Sequence, residues 1–163
     1  GDSALALHML HAGQTPEAAL SIRHHQPTAQ VALGRQLGER QLAKAMIDIS
    51  DGLAGDLEHI LQASQVDGFI EADKLPLSEA FQRHACTEPA LRELALFGGE
   101  DYELLFTVAP ENAADVAALG AELNLSITAI GVIQAGSGAL SLRDESGQVR
   151  PILVRGYDHF CRS

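Results

Sequence analysis

Ala45-Met46-Ile47-Asp48-Ile49-Ser50-Asp51-Gly52-Leu53 is an apolar, strand-like run that ends in two carboxylates, a hydroxyl and a glycine, just where a helical pattern begins. A strand end that faces a helix N-terminus offers backbone N–H groups and a partial positive charge to an anion. Nearby Asp oxygens suit a hard cation such as Mg²⁺, which bridges to phosphate oxygens. The same string also reads as a structural device, with Ser50 or Asp51 as the N-cap of the helix that follows. From there the apolar positions Leu53, Leu57, Ile60 and Leu61 recur at helical spacing, predicting a helix to about Ser64 whose N-terminus meets the acidic loop.

A second acidic turn, Phe97-Gly98-Gly99-Glu100-Asp101-Tyr102-Glu103, precedes Leu104-Leu105-Phe106-Thr107-Val108, which has the branched and aromatic content of a buried strand. Its glycines permit positive φ or close approach, and its carboxylates repel one another unless solvated, paired or bound to a cation. By itself the turn reads as a solvated loop. Near the end stands Gly156-Tyr157-Asp158-His159-Phe160.

In this order these motifs resemble the C-terminal half of the thiamine-monophosphate kinase family. The resemblance runs over nearly the whole chain and includes the opening Gly1-Asp2-Ser3-Ala4 and the segment Asp73-Lys74-Leu75-Pro76-Leu77-Ser78. The Asp48 to Gly52 string is similar to one carried across the aminoimidazole-ribonucleotide synthetase superfamily. Gly98 to Leu104 and Gly156 to Phe160 narrow it to the thiamine-phosphate branch. The resemblance implies an α+β fold, three α/β/α layers with a mixed sheet and partial ferredoxin-like topology. It also implies ATP- and Mg²⁺-dependent conversion of thiamine monophosphate to thiamine diphosphate.

On the same grounds Asp48 and Asp51 are expected to ligate Mg²⁺ and Ser50 to hydrogen-bond the phosphates of ATP. Glu100 and Tyr157 are expected to contact thiamine monophosphate. Tyr157 also reads as a core anchor for the C-terminal segment. Asp2 and Asp73 read as a helix cap and a turn residue, and Asp101 as a residue that caps or solvates its turn. The chain begins at Gly1 without a methionine, and the resemblance implies a single C-terminal domain, 1–163, of a two-domain enzyme. Its absent N-terminal half would complete the metal and ATP sites, so the piece alone is expected to be inactive, and relatives form homodimers through that half. Two other readings stand beside this one: a superfamily enzyme with a different acceptor, and a noncatalytic nucleotide- or metabolite-binding module.

Composition narrows the classes. With 163 residues, 46% hydrophobic and 20% charged, the chain has the size and core content of one domain. A net charge of −11, without a basic run, argues against a nucleic-acid partner. That acidity suits a site where divalent cations mediate between carboxylates and a nucleotide. Cys86 and Cys161 form no C-x-x-C pair, which points to reduced thiols and a cytoplasmic location. No apolar run approaches a membrane span. His8 and His11 lie three apart but lack a third metal ligand, and neither a Walker A string nor a nucleophile elbow is present.

Around the motifs, the pattern predicts helices at 2–11, after Thr15-Pro16-Glu17, and at 30–42, 78–84, 89–95 and 112–123. Strands are expected at 44–49, 69–72, 104–108 and 127–133, with a hairpin of 139–142 and 152–154 across Asp144-Glu145-Ser146-Gly147.

Overall fold

A computed structural model describes residues 1–144 and 146–152. The helices are α1 (Asp2–His11), α2 (Ala18–His25), α3 (Val31–Glu39), α4 (Leu53–Ser64), α5 (Glu79–Thr87), α6 (Leu94–Phe97) and α7 (Ala113–Leu123). The strands are β1 (Ala43–Asp48), β2 (Val66–Glu71), β3 (Leu104–Val108), β4 (Gly131–Ala135), β5 (Leu140–Arg143) and β6 (Val149–Pro151). The fold is α+β. β1 and β3 form an antiparallel ribbon, and a mixed sheet runs β4-β2-β5-β6, in which only the β2–β5 pair is parallel.

Alternation along β3 builds the layers, because successive side chains of a strand point to opposite faces. Leu105 joins Ala45, Ile47 and Ile49 against Leu53, Leu57, Ile60 and Leu61 of α4, in a core that continues to Ile70, Leu140 and Leu142 of the mixed sheet. Leu104, Phe106 and Val108 join Leu33 and Leu37 of α3 and Val116 and Leu119 of α7. The ribbon is therefore sandwiched between α4 and the α3–α7 pair. A third cluster, with Leu5, Ala6, Met9, Leu20, Phe81 and Ala85, ties α1, α2 and α5 together.

Several boundaries differ from the sequence expectation for local reasons. α4 starts at Leu53 behind Gly52, not from Ser50 or Asp51, because Gly52 takes φ 112°, ψ 145° and no side chain caps the helix. Asp2 does not cap α1; it lies in the first turn and accepts a hydrogen bond from the Ser78 hydroxyl at 2.7 Å. Ser78 is itself the N-cap of α5, accepting from the Phe81 N–H at 3.0 Å. α3 ends at Glu39, since Gln41 turns left-handed (φ 55°) and Leu42 donates its N–H back to the Leu37 carbonyl. β4 begins at Gly131, and Ile127 packs instead under α7. The hairpin forms with β6 as its second strand, held by the Asp144 carboxylate, which accepts from the Ser146 and Gln148 N–H groups. Residues 153 and 154 of the expected strand, and Cys161, lie outside the described residues. Cys86 is exposed and unpaired, and no described helix is long and apolar enough to cross a membrane.

Candidate functional site

The antiparallel register that pairs Asp48 with Leu104 lays the two acidic motifs side by side, because each continues beyond the ribbon at the same end. Three backbone bonds extend the ladder into the loops. Ile49 N–H donates to the Glu103 carbonyl at 2.9 Å, Tyr102 N–H to the Ile49 carbonyl at 2.8 Å, and Glu100 N–H to the Ser50 carbonyl at 2.8 Å. The structure thus brings Asp48, Ser50, Asp51 and Glu100 onto one edge, while Tyr157 lies outside the described residues.

This close approach explains the glycines. A Cβ on Gly99 would overlap the Ser50 carbonyl oxygen and lie 3.1 Å from the Ser50 carbonyl carbon, so only glycine fits where the loops cross. The second loop also holds two non-glycine residues at positive φ, Glu100 at 66° and Tyr102 at 51°. Such conformations cost about 1–3 kcal/mol each and concentrate at functional sites. In return Glu100 stands exposed at the edge, and the Tyr102 hydroxyl donates to its Oε2 at 3.0 Å.

The electrostatics are those of clustered acids. Tyr102 is held above the usual tyrosine range, first by the hydrogen bond it gives Glu100 and by that carboxylate's charge, then by burial and by the charges of Asp48 and Asp51. Asp48 and Asp51 are both exposed. Asp101 turns away from Glu100, pairing with the Gly1 nitrogen and accepting weakly from the Ser3 N–H at 3.4 Å. Glu103 accepts from Arg23 at 2.5 Å and from Gln30 at 3.0 Å, tying the loop to α2 and to the residue before α3. Asp73 sits in a short 3₁₀ turn, Ala72–Lys74.

Sequence reasoning missed Asp56. This α4 residue is 2% exposed, and its Oδ2 accepts from the Ser50 N–H at 3.0 Å and the Asp51 N–H at 3.2 Å. Burial raises its pKa, the two N–H bonds oppose that rise, the Asp51 charge adds to it and His59 offsets it. A signal was available, for Asp56 falls three residues after Leu53 on the apolar stripe of α4 and is the charged residue that interrupts it. Asp56 narrows the expected anion site, because the Ser50 and Asp51 N–H groups face inward to it, which leaves the first-turn amides of α4 as the backbone donors the helix N-terminus can offer. What the loop exposes is the carboxylates of Asp48 and Asp51, with Ser50 half-buried between them.

Hard oxygen donors of this kind match Mg²⁺, which is commonly held by one or two carboxylates together with phosphate oxygens. Among the described residues no three His, Cys, Asp or Glu side chains gather as a protein-only metal site would require. His8 and His11 stay exposed on α1, and His24 takes part in a 2.9 Å hydrogen bond with the buried Ser3 hydroxyl.

Comparison with known proteins places the chain among relatives of known kind. Thiamine-monophosphate kinase from Escherichia coli K12 is 42% identical over 169 residues, covering 99% of this chain and 50% of the relative. The crystal structure of thiamine-monophosphate kinase from Stenotrophomonas maltophilia superposes with a TM-score of 0.78 at 37% identity, covering 91% of this chain and 48% of that one. AaThiL complexed with AMPPCP and TMP superposes with a TM-score of 0.77 at 33% identity, covering 98% and 48%. The chain spans about half the length of the curated relatives it matches. The profile of the AIR synthase related protein C-terminal domain matches residues 3–142, and the chain belongs to that family.

Proposed function

We propose that this chain is the C-terminal half of an ATP- and Mg²⁺-dependent thiamine-monophosphate kinase. Its acidic edge supplies part of the active site, and an N-terminal half completes it. The observation that carries the reading is the pairing of the two motif loops through Glu100 N–H to the Ser50 carbonyl and Tyr102 N–H to the Ile49 carbonyl. Relatives matched over the whole chain are thiamine-monophosphate kinases, and the complex of one neighbour with AMPPCP and TMP supports ATP and thiamine monophosphate as ligands.

In this reading Asp48 and Asp51 hold Mg²⁺, Ser50 donates its hydroxyl to the nucleotide phosphates, and Glu100 contacts thiamine monophosphate. Tyr157 is proposed as a second substrate contact. When bound, Mg²⁺ would neutralise charge that develops on the transferred phosphoryl group. A terminal phosphate oxygen of thiamine monophosphate attacks the γ-phosphorus, and the bond from that phosphorus to the bridging oxygen breaks as ADP departs. The attacking oxygen is already anionic near neutral pH, so none of these residues serves as a general base. Their work is positioning and charge balance.

The test is thiamine diphosphate formation by the full-length protein, given thiamine monophosphate and Mg-ATP, with Asp48→Asn in parallel. Product from the parent, with a loss of at least about a hundredfold in the variant, is the expected result. A folded, ATP-binding parent that makes no thiamine diphosphate would refute the assignment.

A further inference from the structure

Ser3 and Asp56 are the buried polar side chains among the described residues, and only Asp56 is acidic. Burying a carboxylate is unfavourable unless its oxygens are hydrogen-bonded. Here Oδ2 takes the two consecutive N–H groups of Ser50 and Asp51, at 3.0 and 3.2 Å. Leu53, Ala54 and Leu57 of the same helix are buried beside it, and the first turn of α4 favours its negative charge. Both donors belong to the loop that carries the cation-binding side chains of the proposed function.

We propose that Asp56 is the positioning residue of the cation–nucleotide site: from inside the core it fixes the Ser50–Asp51 backbone, so that the Asp48 and Asp51 carboxylates and the Ser50 hydroxyl project outward as a set. The inference rests on the reading of that loop as a cation site. One anchor serves the set, because the two N–H groups it holds lie between the three outward donors. It also keeps those two amides from a phosphate.

The experiment measures Mn²⁺-dependent binding of a non-hydrolysable ATP analogue to the full-length protein by calorimetry, and thiamine monophosphate binding separately. It compares wild type with Asp56→Asn, Asp56→Ala and Asp48→Asn. Asp56→Asn keeps the shape and one accepting oxygen, and should weaken cation–nucleotide binding about tenfold, with Asp56→Ala nearer a hundredfold, as is usual when support behind a metal ligand is removed. Acceptor affinity should stay within about twofold of wild type in both. If Asp56→Ala does not fold, Asp56→Asn decides. A folded Asp56 variant that binds the Mn²⁺–nucleotide pair like wild type overturns the proposal, and so does an equal loss of acceptor affinity, which would mean a general structural role. Unchanged binding in Asp48→Asn would bring down the cation-site reading itself. Loss in Asp48→Asn with none in the Asp56 variants would remove the positioning role alone.

Discussion

Gly52→Ala tests whether the first motif loop is bound to the second by close backbone contact. Gly52 adopts φ 112°, ψ 145°, a region that L residues rarely enter. Strain there costs about 1–3 kcal/mol. Independently, a Cβ would stand 2.9 Å from both the carbonyl carbon and oxygen of Phe97, and 3.3 Å from the Gly98 oxygen. These are backbone atoms that cannot rotate away, so overpacking adds about 1–3 kcal/mol. The two costs arise from different atoms, and together predict a loss of about 2–5 kcal/mol, after allowance for relaxation. Urea unfolding of the protein, followed by circular dichroism, should show a lower midpoint with an unchanged slope. Gly38→Ala is the matched control: Gly38 is exposed, lies in α3 and has nothing within 4 Å of an added Cβ. A loss below about 0.5 kcal/mol in Gly52→Ala, the size of an ordinary surface change, would refute the contact and strain argument.

Two further outcomes follow from the packing and hydrogen bonds of the chain. Gly38→Ala itself should stabilise the protein by about 0.4–1 kcal/mol, by reducing the freedom of the unfolded chain and improving helix propensity, read from the same urea curves. Asp67 accepts from the Ala139, Ser137 and Gly138 N–H groups at 2.8, 2.8 and 3.0 Å, and these bonds depress its pKa below the usual 3.8. A depressed folded-state pKa gives stability that is present above 3.8 and lost as pH falls through the lower folded value. Asp67→Asn should therefore flatten that acid limb in melting curves taken from pH 5 down to about pH 2, and an unaltered limb would count against the Asp67 cap.

The fold and the site were legible to different degrees. Strong periodicity revealed α4 and the buried strands on either side of the acidic motifs, because Leu53, Leu57, Ile60 and Leu61 share a face and Leu104 to Val108 must be covered on both sides. Boundaries were less legible where backbone geometry, not burial, ends an element, as at Gly52 and Gln41. Composition does not disclose that Glu100 and Tyr102 take positive φ, since neither is glycine and only the crossing of the loops requires it.

The largest gap concerned direction. A sequence string shows that acids, a hydroxyl and backbone amides are together, but not which of them faces outward. Asp56 settles that question: a buried acceptor draws the Ser50 and Asp51 amides inward, and the exposed carboxylates of Asp48 and Asp51 are left for solvent or ligand. An acidic residue inside the apolar stripe of a helix that begins at an acidic loop is therefore informative. Here it takes the two amides that lead into α4, Ser50 and Asp51, and leaves the carboxylates beside them exposed.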